Sequence, residues 1–130
     1  MHLQIRAVPA KSPPNLAEFL QVLADAKINL VAAGGGYVES GGEFVFAVED
    51  GQEDAAMAAL SLDYQPRLVR PKRCLLDDEP GQLLSCITDA MAENAGSKRV
   101  IKDILVGAEK EDGKVIVQVW SEEPGPPPAS

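Results

Sequence analysis

A short junction between an apolar run and a helical pattern occurs twice in this chain, and it fixes most of what the chain can fold into. The first copy reads Lys11-Ser12-Pro13-Pro14-Asn15-Leu16 and the second Asp78-Glu79-Pro80-Gly81-Gln82-Leu83. Each copy follows a short apolar run, opens a helix-spaced pattern and leads on to two strand-like runs joined by a Gly-containing turn. The chain therefore reads as a βαββ unit used twice. The strand-to-helix loops are its candidate working parts. The first N–H groups of a helix lack intrahelical partners and carry partial positive charge, which suits a small carboxylate.

Leu3, Ile5 and Ala7 alternate with His2, Gln4 and Arg6, the pattern of a half-buried strand. The Pro9 to Pro14 stretch interrupts it. Ser12 is expected to be a helix N-cap with Pro13 at the first helical position. Leu16, Phe19, Leu20, Leu23 and Ala24 then form one apolar stripe that ends near Lys27. Leu30 to Val38 reads as a strand interrupted by Gly34-Gly35-Gly36. After the turn at Ser40-Gly41-Gly42, Phe44, Phe46 and Val48 alternate as another strand, and Val45 and Ala47 between them indicate that its second face is partly covered too. Glu53 to Leu62 is a short Ala-rich helix. Residues 66–76 are extended and broken by Pro71, as one long strand or two.

The second helix of this kind carries Leu83, Ile87, Ala90 and Met91 and closes at Asn94-Ala95-Gly96, with Gly96 as the left-handed residue after its end. Val100 to Val106 and Val115 to Val119 are strands connected through an Asp112-Gly113 turn. The Pro-rich tail, Glu122 to Ser130, is expected to be disordered. The order is βαββαβ and then αββ. It predicts an α+β protein whose residues 1–70 form a ferredoxin-like antiparallel sheet with both helices on one face, followed by a partial βαββ unit over 71–121. The partial unit lacks a closing helix and strand. Its open edge is expected to pair with the first unit, with a second chain, or with both.

The 130 residues are 45% apolar but only 5% aromatic, so the core must be mostly Leu, Val, Ile and Ala. A net charge of −8 argues against nucleic acid and anionic membrane surfaces, which require concentrated Lys and Arg. No apolar run approaches the roughly 20 residues that span a bilayer. The alternating start does not read as a secretory leader, so a cytoplasmic location is the expectation. Cys74 and Cys86 fit it as free thiols in or near the core, with a disulfide or redox pair as the alternative. The lone histidine, His2, gives no conventional zinc site, and no metal or cofactor is expected.

The loop and strand pattern resembles the ACT domain family of small-molecule regulatory modules, whose loop after the first strand runs Asp-x-Pro-Gly-x-Leu. Asp78, Pro80, Gly81 and Leu83 match it. The first copy matches only at Pro13 and Leu16, with Lys11 where Asp is usual and Pro14 where Gly is usual. Ala26-Lys27-Ile28-Asn29-Leu30 is similar to the family's helix end, and Phe46 to Asp50 followed by Ala55-Ala56 to its third strand and second helix. The resemblance covers residues 2–120. It implies a tandem ACT-like protein that binds an amino acid between the loop and helix of one unit and the edge strand of a neighbour. It also implies association as a homodimer. The candidate site is then Ser12, Pro14, Asn15, Asn29, Gly34, Gly35, Asp78, Pro80, Gly81 and Gln82.

Each of these has a plainer reading. Asp78 is a contact to a ligand ammonium or a helix cap. Asn15 and Gln82 contact a ligand or simply face solvent in a first helical turn. Asn29 bonds a ligand or closes a helix-to-strand turn. The triple glycine marks a bulge or a closely packed strand rather than a nucleotide loop, since no Gly-Lys-Ser/Thr follows it. Arg67, Arg70, Lys72 and Arg73 form a basic cluster in an acidic chain, either an anion site or a solvated strand face. Glu109, Glu111 and Asp112 read as solvated. The chain offers no Ser-His-Asp set and no Cys-His pair, so it is expected not to be an enzyme. Two functions remain open: a regulatory binder of an amino acid, and a ligand-free interaction module serving a metabolic enzyme or transporter.

Overall fold

The structure is a computed structural model and describes residues 1–8, 15–36, 43–61, 63–77 and 79–123. Ser12, Pro13, Pro14, the turn at 40–42, Asp78 and the tail beyond Glu123 lie outside the described residues. The elements are β1 (Gln4–Ala7), α1 (Leu16–Asp25), β2 (Leu30–Gly36), β3 (Glu43–Val48), α2 (Glu53–Leu60), β4 (Arg67–Val69), β5 (Lys72–Leu76), α3 (Gln82–Glu93), β6 (Val100–Glu111) and β7 (Lys114–Glu122). They form a four-stranded sheet of order β2-β3-β1-β4 and a three-stranded sheet of order β5-β7-β6, both antiparallel. This is an α+β protein, and the first sheet is compatible with a ferredoxin-like plan.

The period-two pattern places Ile5, Ala7, Phe44, Phe46 and Val48 on one face of the first sheet. There they meet Phe19 and Leu23 of α1 and Ala56 and Leu60 of α2. Phe19 is the hub: its ring centroid lies 4.3 Å from Phe44, 5.4 Å from Phe46 and 5.2 Å from Tyr64. The cap of α1 is Asn15 rather than Ser12. Asn15 has an extended backbone, and its side-chain oxygen accepts from the Glu18 N–H at 3.1 Å, so the helical turn starts at Leu16.

The opposite face of the first sheet is not solvated. Val31, Ala32, Val45 and Ala47 pack there against Leu105 of β6, Ile116 of β7 and Met1. The second sheet thus lies face to face on the first, and α3 covers its far side through Cys86 and Ala90 against Val117 and Val119. The layers run helices, sheet, sheet, helix. This corrects two expectations. β1 is buried on both faces, with Gln4 and Arg6 as inaccessible as Ile5. And among the described residues no strand of one sheet pairs with a strand of the other, so within one chain the partial unit meets the first by its face and not by its edge.

The extended stretch is two strands in different sheets. Val69 ends β4 beside Gln4, and Lys72 starts β5 beside Val119. Buried Pro71, which has no N–H for either ladder, sits at the crossing. The cysteines are also a correction: Cys74 of β5 and Cys86 of α3 are joined in a disulfide. Helix α3 folds back over the strand that precedes it, which brings the two Cα atoms within 6.4 Å, inside disulfide reach. The cysteine argument for a reducing compartment therefore falls away. The stripe of α3 is narrower than expected, since Leu83 and Met91 are exposed. Gly96 (φ 82°) and the Asp112-Gly113 turn (φ 52° and 76°) have the left-handed backbone their positions suggested. No helix among the described residues is long and apolar enough to cross a membrane.

Candidate functional site

The turn from β5 into α3 is the second copy of the junction motif, and its backbone explains its composition. Glu79 N–H donates to the Asp77 carbonyl at 2.8 Å, tightening the chain just before the helix. Gly81 then occupies the N-cap position at φ 85°, a left-handed conformation that a residue with a Cβ adopts only with strain. Nothing lies within 4 Å of where its Cβ would be, so the requirement is conformational and not steric. A glycine cap offers no side-chain acceptor, and among the described residues no side chain caps α3, although the Gln82 N–H donates to the Glu79 carbonyl at 3.5 Å. Pro80 and Gly81 are exposed and Gln82 is half-buried.

Gly34 and Gly35 lie on β2, at the edge of the first sheet, opposite Val45 and Phe44. A Cβ on Gly34 would meet the Leu105 Cδ1 atom at 3.4 Å, an ordinary contact. The tightly packed glycine is Gly107 of β6, where a Cβ would fall 2.8 Å from the Met1 sulfur. β2 is overlaid by β6, while the α3 turn follows β5, the other margin of the second sheet. Within one chain the glycine edge and the α3 turn therefore stand at opposite margins. Asn15 caps α1. The Asn29 N–H donates to the Gln52 side chain at 2.8 Å, and its carbonyl accepts from Glu49 N–H at 2.9 Å. Gln52 also donates to the Lys27 carbonyl at 3.1 Å, so this glutamine ties the helix-to-strand turn together.

The feature that the sequence reading missed is a charged layer between the sheets. The Arg6 side chain is fully buried. Its guanidinium donates to Glu43 at 2.8 Å, to Gln4 at 2.8 Å and to both Asp103 oxygens at 3.1 and 2.6 Å. Gln4 donates to Gln118 at 3.3 Å, and Gln118 to the Leu3 carbonyl at 3.0 Å, which carries the contact across to β7. Arg67 and Lys102 complete the cluster against Glu43 and Glu122. Burial works against ionising Glu43, but hydrogen bonds from Arg6 and Lys102 outweigh it and its pKa is lowered. Burial likewise opposes the Glu122 carboxylate, but the Trp120 N–H and Arg67 hold its pKa down to about 2. For Arg6 too the partners overcome burial, and its pKa is raised. Every buried side-chain polar atom among the described residues has a partner, so this layer is saturated and acts as a joint, not an open site. The one signal for it in the sequence was the apolar pair Val45 and Ala47, which asked for cover on the face that Arg6 shares.

Comparison with solved structures places the fold. A crystallised protein of Bacteroides thetaiotaomicron superposes with a TM-score of 0.69 at 20% identity, over 94% of this chain and 80% of that one. The ligand-free regulatory subunit of aspartate kinase from Thermus thermophilus superposes with a TM-score of 0.53 at 17% identity, over 91% of this chain and 81% of that one. The likeness supports an ACT-like fold. No protein-family model and no curated protein sequence matches the chain.

Proposed function

We propose that this protein is a regulatory module that senses a free amino acid. Support comes first from the likeness to an aspartate kinase regulatory subunit, which extends over both sheets. The chemistry comes from the amino end of α3, where an exposed glycine cap leaves the opening backbone N–H groups to a ligand carboxylate. Asp78 is the residue proposed to meet the ligand ammonium. Because the glycine edge of β2 lies at the far margin of the same chain, the edge strand that closes the site is supplied by a second copy, in a homodimer. The protein is assigned binding without turnover.

A thermal-shift screen against the twenty amino acids tests this reading. A ligand at a hundredfold excess over its Kd stabilises the native state by about 2.7 kcal/mol. The expected result is one clear hit that is lost in Asp78→Ala and Gly81→Val. A flat screen, or a hit that both variants keep, contradicts it.

One observation favours a second reading, a docking subunit with no ligand. Leu84 and Met91 are exposed on α3, and Ile104 and Val106 on β6. Clusters of exposed large apolar side chains mark protein-interaction surfaces. Stable self-association or capture of an enzyme subunit, with no response to any metabolite, supports that reading instead.

A further inference from the structure

At the end of the second sheet remote from the α3 turn, a cavity of about 470 Å³ opens between the start of β5, the end of β7 and the last turn of α3. This is within the range of small-molecule pockets. Lys72 opposite Val119 marks this end of the β5–β7 ladder, and Leu76 opposite Val115 marks the other. About 18 Å of helix separates the cavity from the glycine cap of α3. The floor is apolar, from Ala90 and Val119.

The walls carry the opposite charge from the rest of the molecule. The chain has 12 Lys and Arg against 20 Asp and Glu, yet Arg70, Lys72 and Arg99 line this cavity with Glu93 as the one carboxylate among its lining residues. Two of the three cations have evident structural roles. Lys72 pairs with Glu93 at 2.7 Å. Arg99 lies 5.5 Å from the Trp120 ring centroid and donates to the Ser121 carbonyl. That carbonyl bond uses one terminal nitrogen of a guanidinium that has five N–H donors. Arg70, exposed and next to Pro71 in the chain, makes no side-chain hydrogen bond or ion pair among the described residues. Asn94 and Ser121, joined at 2.9 Å, add neutral donors at the rim.

We infer that this cavity binds a small dianion, carried on a phosphate group or on a pair of carboxylates, with Arg70 and Arg99 as its principal contacts. Planar guanidinium groups match both oxyanion geometries through paired N–H donors. A locally positive cleft in an acidic protein also concentrates anions. The site shares no residue with the α3 turn, so it stands or falls independently of the amino-acid reading.

Trp120 is the only tryptophan in the chain, and it lines this cavity with Arg99 5.5 Å from its ring centroid, which makes it a reporter of the site. The test is a fluorescence titration of the full chain with orthophosphate and with succinate, against sodium chloride at matched ionic strength. The expected result is a saturating change with at least one of the two dianions, and a midpoint at least tenfold weaker in Arg70→Ala. Arg70 has no structural partner to lose, so that variant stays folded, as circular dichroism will verify. Saturation by phosphate alone identifies a phosphorylated ligand, and saturation by succinate alone a dicarboxylate. A response that only follows ionic strength overturns the proposal, as does an unchanged midpoint in Arg70→Ala.

Discussion

Among the described residues the first sheet has four strands and two helices over one face, whereas the second has three strands and only α3. The larger unit closes its own core: Phe19, Leu23, Ala56 and Leu60 cover the face made by β1 and β3, and β1 sits between two hydrogen-bonded neighbours. The smaller unit lacks that second helix, and it compensates in two ways. Its inner face is laid on the first sheet, and its outer helix is tied to β5 by the Cys74–Cys86 disulfide. Incomplete cover also leaves the α3 turn and the basic cavity open. The incomplete unit therefore carries the basic cavity and the α3 turn, and the complete one offers the β2 edge proposed to close that turn in a second copy.

The largest effect is expected from breaking the joint. Arg6→Met leaves Asp103 and Glu43 without their buried cation, at a cost of about 3–5 kcal/mol. Arg67→Met removes a half-exposed partner of the same cluster and costs about 0–1 kcal/mol. Urea denaturation of the two variants checks the contrast, and equal losses would mean that the buried layer does not join the sheets. Next is the disulfide. Cys74→Ala, or reduction, is expected to cost roughly 3 kcal/mol, since the bridge closes a loop of moderate length. Hydrogen exchange should show faster opening in α3 and β5 while β1 and β3 remain protected. Uniform acceleration across both sheets would contradict the division of labour.

Two local tests sharpen the same comparison. Gly81→Val forces a side chain into a left-handed conformation and is expected to lower stability by about 1–2 kcal/mol, read as a lower melting temperature. Asn15→Ala removes the cap of α1 and is expected to cost about 1 kcal/mol in the complete unit. The smallest effect is on pH dependence. The folded-state pKa of Glu122 is depressed to about 2 from an ordinary 4.5, so its contribution is present above 4.5 and is lost as pH falls toward 2. Glu122→Gln should flatten the stability profile in that window only.

Much of the fold was legible in the sequence, because local rules determine it. Alternation in Ile5/Ala7 and Phe44/Phe46/Val48 gave the inner face of the first sheet, and Asp112-Gly113 gave the β6–β7 turn. What local rules do not encode is how two sheets meet. Arg6 alternates with apolar neighbours as a solvated residue would, and only the acidic residues arriving from β3, β6 and β7 reveal its burial. The disulfide was hidden for the same reason: Cys74 and Cys86 become neighbours only once α3 folds back on β5. At the candidate site, Pro80 and Gly81 were legible as loop formers. The separation of the α3 turn from Gly34 was not, because it depends on which margin of the second sheet overlies β2.

The proposed function depends most directly on the α3 turn as an amino-acid site. Isothermal titration calorimetry of the full chain with each of the twenty amino acids, repeated with Asp78→Ala, measures it. Saturable binding of one amino acid that weakens at least tenfold in the variant is the predicted result. No binding at millimolar concentration, or binding that Asp78→Ala leaves unchanged, would contradict it.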